Sequence, residues 1–364
     1  MSDVTGKALT VRGPVEPDRL GPTLMHEHLF VDLRKSHPPY QRTTDLEVTP
    51  NYEVTKEEFP ATELALWGAP LGLGNLHLAR AAAPIADNYL LADEELATKE
   101  VMEYKNHGGG TIVDVTSIGL KRDPLALRRV SEATGLNIVM GASWYQKLYH
   151  PSDMDERTVE EMTDEIVRDV TVGVDGTDVR SGIIGEVGVN GRPIIENEVK
   201  SVRASARASS LTGAAISFHG PMVAAEKHRV LDIVEEEGAD LGRVVMGHSD
   251  SMAYDDLPLA IELLSRGVYI ELDMIGRETV LGLSLTAKDV VSIPKLIAAG
   301  YEDRIVLSHD VCWKTQLKYY GGSGYSFILE KFLPHLRETG VTNEQIDKMM
   351  VENPRRILTF VEPR

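Results

Sequence analysis

Short apolar, β-branched runs recur along the chain, separated by stretches with helical periodicity. Eight of these runs have the length of a buried parallel strand: residues 23–28, 110–116, 137–143, 182–189, 215–219, 243–248, 268–273 and 304–310. Between them, residues 156–171 place Val159, Met162, Ile166 and Val170 at near-helical spacing, and residues 222–237 do the same with Val223, Val230, Leu231 and Val234. Strands alternating with amphipathic helices predict an α/β fold with a parallel sheet and right-handed crossovers. Eight such units close most simply into a TIM (β/α)8 barrel, although an open, doubly wound sheet gives the same alternation.

Three segments fall outside the repeat. Residues 8–20, ALTVRGPVEPDRL, hold a Gly-Pro turn between extended pieces and predict an N-terminal hairpin ahead of strand 1. Residues 36–88 are rich in Pro, Gly, Leu and Ala and precede the first clear helix, near residues 91–106. That is too long for an ordinary βα loop, and because the segment leaves from strand 1 it is expected to sit over the active face. Residues 343–360 read as one or two closing helices broken at Pro354. A chain of 364 residues could hold two average domains, but a barrel of about 250 residues with insertions accounts for residues 1–364 as one.

Composition narrows the partners. With 42% hydrophobic and 26% charged residues there is enough apolar material for a large core. A net charge of −18 repels a phosphate backbone, so nucleic acid is excluded, while a local Arg or Lys could still hold one anionic group. The lone cysteine, Cys312, cannot form an internal disulfide or a Cys-rich zinc module, so any metal must use His and carboxylates. No apolar run reaches the roughly 18 residues of a membrane span, and the first residues hold no stretch like a secretory signal. A cytoplasmic enzyme acting on a small molecule, with no membrane partner, is expected.

The candidate chemistry starts in TLMHEHL, where His26 and His28 lie two apart on a predicted strand and share a face. Taken alone, chance among eleven histidines explains the pair equally well. Position changes the balance: His219 ends AAISFH, His248 ends RVVMGH and Asp310 ends RIVLSHD, each at the C-terminal end of its strand. In a parallel barrel those ends gather at one mouth. A single strand-end histidine is usually a hydrogen-bonded core residue, but four with an aspartate on one rim have the ligand chemistry for zinc or a similar ion. Glu186, in SGIIGEVGV, is read on the face of Ile184 with glycines on either side. A lone carboxylate inside a barrel is costly, and it becomes reasonable if it bridges two cations.

This ordered set, together with TVRGPVEPDRLGPTLMHEHLF, VMGHSDS, VLSHD and MVENPRRILTF, resembles the phosphotriesterase-like branch of the amidohydrolase superfamily over nearly the whole chain. The best-known members of that branch carry a carboxylated lysine on strand 4, whereas residues 181–189 contain no lysine. The chain is therefore most similar to the phosphotriesterase-related and resiniferatoxin-binding-protein members, in which glutamate takes that place. The resemblance implies two divalent ions, most simply Zn2+: a buried one on His26, His28 and Asp310, a more exposed one on His219 and His248, and Glu186 on both.

It also implies hydrolysis by a shared, activated water, with Asp310 accepting the proton. His309 and Asp250 are candidates to relay that proton or orient a ligand, although His309 alternates with Asp310 and can face the helix layer instead. Substrate contacts are expected from Trp144 and Tyr145 after strand 3, Arg277 after strand 7, and Trp313 and Lys314 after strand 8, with Phe30 and the long insertion as a wall. Arg277 or Lys314 would matter most for an anionic substrate. The expected reaction is hydrolysis of a carboxylic ester or lactone, with slow organophosphate or phosphonate ester hydrolysis. An amidase or deacylase using the same ions, and a ligand-binding protein on a hydrolase scaffold, are the alternatives. Homodimers are common in the resembling family, so a homodimer is a possible assembly.

Overall fold

The computed structural model describes residues 4–36, 61–190, 193–277 and 284–364. Eight parallel strands line up in chain order: β1 (Thr23–Glu27), β2 (Thr111–Asp114), β3 (Asn137–Met140), β4 (Ile184–Gly188), β5 (Ile216–His219), β6 (Val244–Met246), β7 (Tyr269–Leu272) and β8 (Ile305–Leu307). Ladder pairing joins β1, β2 and β3 in one run and β4 through β8 in another. Backbone hydrogen bonds close both seams. Gly182 N donates to Met140 O at 2.9 Å and Gly188 N to Trp144 O at 2.9 Å on one side; Asp310 N donates to His26 O at 3.1 Å and His28 N to Val311 O at 3.2 Å on the other. The result is a (β/α)8 barrel, which decides against the open sheet.

One apolar residue from each strand, or from the position just before it, fills the barrel's lower interior. Met25, Val113, Val139, Ile183, Ala215, Val245, Tyr269 and Val306 form a buried plug, capped from below by Ala8, Leu20, Ile357 and Leu358. Ala8 comes from the N-terminal hairpin, Ala8–Thr10 against Gly13–Val15, Leu20 from the short turn after it, and Ile357 and Leu358 from the C-terminal tail. Phe360 N donates to Lys7 O and Gly6 N to Phe360 O, both at 2.9 Å, so the two chain ends seal the bottom together. Pro354 does not break the tail as expected. The segments Asn343–Asp347, Lys348–Glu352 and Asn353–Leu358 follow one another directly, and the wider π-helical turn over Lys348–Glu352, immediately ahead of the proline, carries the chain past it.

Each expected strand contains an observed one, but most stop short of the expected end because the backbone turns at the rim. His248 and Asp310 adopt φ of 51° and 50°, a left-handed conformation that leaves the ladder and swings each side chain into the mouth. The expected helices are also present; Val159–Thr171 starts in a reciprocal cap between Thr158 and Glu161 that satisfies two free backbone N–H groups.

Residues 37–60 of the long insertion lie outside the described residues. The rest packs onto the loop after β8, at the mouth end of the barrel. Arg80 donates to Gly321 O at 2.6 Å and Tyr320 O at 2.9 Å, and Thr315 N donates to Asn88 Oδ1 at 2.9 Å. Among the described residues no helix is long and apolar enough to cross a membrane.

Candidate metal centre

Above the apolar plug the barrel interior turns abruptly polar. His26, His28, Glu186, His219, His248 and Asp310 come together there, from β1, β4, β5 and the ends of β6 and β8. Glu186 stands at the centre with its two oxygens facing different partners. Oε1 is 3.5 Å from His28 Nε2, and that nitrogen is 3.5 Å from Asp310 Oδ1. Oε2 is 3.5 Å from His26 Nε2, 3.6 Å from His248 Nε2 and 3.0 Å from His219 Nδ1.

Most of these separations are too long for strong hydrogen bonds, and they have another natural explanation. Ligand atoms about 2.0–2.1 Å from a tetrahedral ion lie roughly 3.3 Å from each other. His26 Nε2 is wholly buried and has no hydrogen-bond partner among the described residues, a costly state for a polar atom that a cation would relieve. Two trios, His26 with His28 and Asp310, and His26 with Glu186 and His248, bring ligand atoms within 4.8 Å of one another. The residues present therefore fit a divalent cation in number, type and spacing. His219 is the most open of the six, its side chain 19% exposed against 0% for His26.

The electrostatics match. Burial pushes the Glu186 carboxyl up, but His26, His219 and His248 outweigh it and hold it well below its usual range. Burial opposes charge on His248, yet Asp273 and Glu186 raise it to about 10. His26 is raised in the same way, by Glu186 and Asp273 against its burial. A site this attractive to positive charge is suited to cations.

Residues that the sequence reading did not single out hold the imidazoles in place. His26 Nδ1 is 3.3 Å from Glu271 Oε2 and 3.4 Å from Asp273 Oδ2, His248 Nδ1 is 2.9 Å from Asp273 Oδ1, and His28 Nδ1 is 2.9 Å from Thr116 Oγ1. With Nδ1 carrying the proton toward these acceptors, Nε2 presents a lone pair to the site. The signal was available: YIELDM puts two acids two apart on an otherwise apolar strand. Gln146, whose carboxamide lies 2.6 Å from His219 Nε2, gave no such signal.

The expected substrate contacts separate into groups. The hydroxyl of Tyr145 is 3.3 Å from His219 Nδ1, and Arg277 Nη2 donates to Asp310 Oδ2 at 2.7 Å, so both stand at the site. Trp313 lies under the Arg277 guanidinium, 5.1 Å from its ring centre. Trp144 is instead fully buried in the core, with the Arg157 guanidinium over its ring at 5.8 Å. Phe30 is likewise a buried core residue. Lys314 is drawn off to the insertion, its Nζ 2.6 Å from Asp87 Oδ1, where it anchors the segment over the mouth.

Neither relay candidate lies among the six. His309 faces outward: its Nδ1 is 2.9 Å from Glu27 Oε1 and its Nε2 accepts from Ile328 N at 3.0 Å, a structural lock. Asp250 accepts from Asp273 N at 3.3 Å and Met274 N at 3.0 Å, and so braces the residue that braces His248. One local expectation is corrected: Ile184 belongs to the helix-side core and Ile183 to the plug, so Glu186 does not share the face of Ile184 by simple alternation. The β4–β5 register shifts between Ile184 and Val187, and that irregularity carries Glu186 inward.

Comparisons with known proteins identify the family and the fold. A model of the phosphotriesterase family matches residues 6–358. The N-acetyltaurine hydrolase of Danio rerio is 36% identical over 369 residues, covering 99% of this chain and 100% of that protein. The crystal structure of a resiniferatoxin-binding protein from Rhodobacter sphaeroides superposes with a TM-score of 0.86 at 37% identity, covering 98% of each chain. That of a lactonase from Listeria monocytogenes gives 0.76 at 25% identity, covering 98% of this chain and 100% of the other.

Proposed function

The chain is a member of the phosphotriesterase family, and on that footing we propose that its barrel mouth holds two divalent cations, most simply zinc, and hydrolyses a small N-acyl substrate whose amine part carries an anionic group. The observation that carries this reading is the spacing of ligand-type atoms on both sides of Glu186. In it, His26, His28 and Asp310 hold the inner ion, His219 and His248 the outer one, and Glu186 reaches both.

An amide substrate is favoured over an ester by the N-acetyltaurine hydrolases, matched at 36% identity over 99% of this chain. A sulfonate or carboxylate on the leaving amine calls for a fixed cation near the site. Arg277 supplies one: burial opposes its charge, but Asp310 and neighbouring groups raise its pKa further, and it stays ionised.

Two bound divalent cations supply a water of lowered pKa and polarise the scissile carbonyl. The protein's own groups do the rest. Glu186 and the imidazoles hold the reacting centre in a shell where most ligands are buried, which strengthens every charge interaction there. Asp310 sits beside the centre with one oxygen toward His28 and the other pinned by Arg277. Burial pushes its carboxyl up, but Arg277 and the imidazoles outweigh that and hold it below the usual carboxylate range. It is therefore ionised, and because a lowered pKa makes it a weak base it can take a proton only from a water that bound cations have made acidic; once protonated it passes that proton readily to the departing nitrogen. Amide cleavage needs that transfer more than ester cleavage does. Tyr145, beside His219, closes the mouth on the β3 side.

A carboxylic ester or lactone, with slow hydrolysis of organophosphate or phosphonate esters, is the second reading, favoured by the lactonase at 25% identity. A cytoplasmic location accords with the single free, buried Cys312. Metal analysis of the purified protein, with a panel of N-acetyltaurine, other N-acyl amino acids, p-nitrophenyl esters, lactones and a phosphotriester, tests the proposal. Chelator-sensitive turnover strongest on N-acyl anions is expected, with loss of metal and activity in Glu186→Ala. Tight binding without turnover would point to a binding protein, and unchanged metal and rates in Glu186→Ala would overturn the bridging assignment.

A further inference from the structure

We propose that Gln146 is a positioning residue that fixes the tautomer and ring plane of His219, and so sets the affinity of the outer cation. The inference rests on the two-cation reading above. His219 is the odd member of the imidazole set. The other three turn Nε2 to the site and Nδ1 away, toward Glu271, Asp273 or Thr116. His219 is reversed: Nδ1 faces inward, 3.0 Å from Glu186 Oε2 and 2.7 Å from His248 Nε2, and Nε2 points out.

For Nδ1 to offer a lone pair to a cation, Nε2 must carry the proton and needs an acceptor. The Gln146 carboxamide lies at that place: its Nε2 is 2.6 Å from His219 Nε2, and its Oε1 accepts from Asn190 Nδ2 at 3.5 Å. An amide nitrogen cannot accept a proton, so with a cation on Nδ1 the Gln146 carboxamide must turn by about 180° to offer Oε1 to His219 Nε2, and the Asn190 amide must turn with it to accept from the Gln146 nitrogen. The main chain makes this placement possible. Residues 145 and 146 pass directly over β4 at Gly188, where an added Cβ would come within 2.3 Å of both Gln146 N and the Tyr145 carbonyl carbon. Only glycine lets the loop come so close to the strand that carries Glu186.

The chemistry of the acceptor has a consequence for the ions. His26 and His248 lean on carboxylates, which raise the basicity of an imidazole ligand. His219 leans on a neutral amide and is the most solvent-exposed of the four histidine side chains, at 19%. The outer cation is therefore the weaker held and the more exchangeable of the two, and Gln146 is the residue that tunes it.

The test is zinc titration of metal-free wild-type, Gln146→Leu and Gln146→Glu proteins against a chromophoric chelator, with cobalt spectra to report coordination and thermal melts of the metal-free forms to report folding. Wild type is expected to bind two ions, one more tightly. In Gln146→Leu the weaker ion should lose affinity by about 10–100-fold, the range for removing a residue that orients a ligand. The tighter ion and the metal-free melting temperature should not change. Gln146→Glu keeps an acceptor at the same reach and should bind the weaker ion at least as well as wild type. Unchanged affinity in Gln146→Leu, or equal losses in the Leu and Glu variants, would overturn the inference while leaving the two-cation reading intact. Wild-type protein that takes up fewer than two ions would sink both.

Discussion

Arg277 holds Asp310 by two handles: its Nη2 lies 2.7 Å from the Oδ2 atom and 3.0 Å from the backbone carbonyl of the same residue. The guanidinium thus braces the left-handed turn at the end of β8 as well as the carboxylate it delivers. Both contacts come from one nitrogen, so a lysine lacks not the donors but the planar group that stacks on Trp313 and fixes that nitrogen in place. Arg277→Lys and Arg277→Met are expected to lower kcat by roughly 100-fold on every substrate, about 3 kcal/mol of lost stabilisation. KM should rise in addition only for substrates bearing an anionic group, and steady-state kinetics on matched neutral and anionic N-acyl compounds would separate the two effects. An unchanged kcat would remove Arg277 from the placement of Asp310.

Asp273 touches two of the proposed ligands, His26 and His248, through opposite oxygens. Asp273→Ala removes both acceptors, so each of the two imidazoles loses a partner that fixes its tautomer. Metal affinity is expected to fall by about 10–100-fold for both ions, in contrast to the single-ion effect of a change at Gln146. Zinc titration of the metal-free variant measures this directly, and loss confined to one ion would show that Asp273 serves a single histidine.

The barrel was legible in the sequence because its strands are apolar runs at regular spacing, and the proposed ligands His219, His248 and Asp310 were picked out because they end such runs. What alternation could not give is which way the side chains turn. The β1–β2 register shifts between Leu24 and Glu27, so Met25 joins the plug while His26, one residue on, faces the mouth. A similar shift turns Glu186 inward on β4. At these places the ladder yields to the site, and period-two reasoning fails for a physical reason. Lys314 and Trp144 were misplaced for a different one: a loop residue next to a functional strand end can be claimed by tertiary partners, here Asp87 and the core, that lie far off in sequence. The reversed ring of His219 depends on a loop conformation that no local pattern encodes.

Lys227 is 4% exposed, beside Gly220 and the Met246 methyl, and its ammonium makes no hydrogen bond or ion pair with another described residue. Burial lowers its pKa from 10.5 to about 8, with Asp273 only partly opposing. Below about pH 8 the group is charged in folded and unfolded chains alike, and the whole burial cost is felt. Between 8 and 10.5 the folded chain gives up the proton that the unfolded chain keeps, and the cost fades. Lys227→Met, which keeps an unbranched apolar stem, is expected to stabilise the protein at pH 7 by about 2–3 kcal/mol, shrinking toward zero near pH 10. Denaturant unfolding at several pH values checks both size and sign, and a less stable Met variant at pH 7 would mean that the ammonium has a partner of real value.

Glu27 sits between two proposed ligands in the sequence but turns the other way, and there it ties the first strand to the last. Fully buried, its Oε1 accepts from Ser308 Oγ at 2.8 Å and from His309 N at 2.9 Å, with His309 Nδ1 also at 2.9 Å, while Oε2 accepts from Val311 N at 2.9 Å. The same residue therefore sets the distance between the strand carrying His26 and His28 and the one ending in Asp310. Glu27→Ala strands several buried donors at once and is expected to cost about 3–5 kcal/mol of stability. Glu27→Gln keeps the shape but loses the charge and one acceptor, so its cost should be smaller. Because the seam also spaces the inner ligands, the inner ion should weaken in both variants even where the fold survives, whereas the outer ion should not. Thermal melts combined with zinc titration would resolve the two effects, and a variant that melts early yet binds both ions normally would separate the seam from the metal centre.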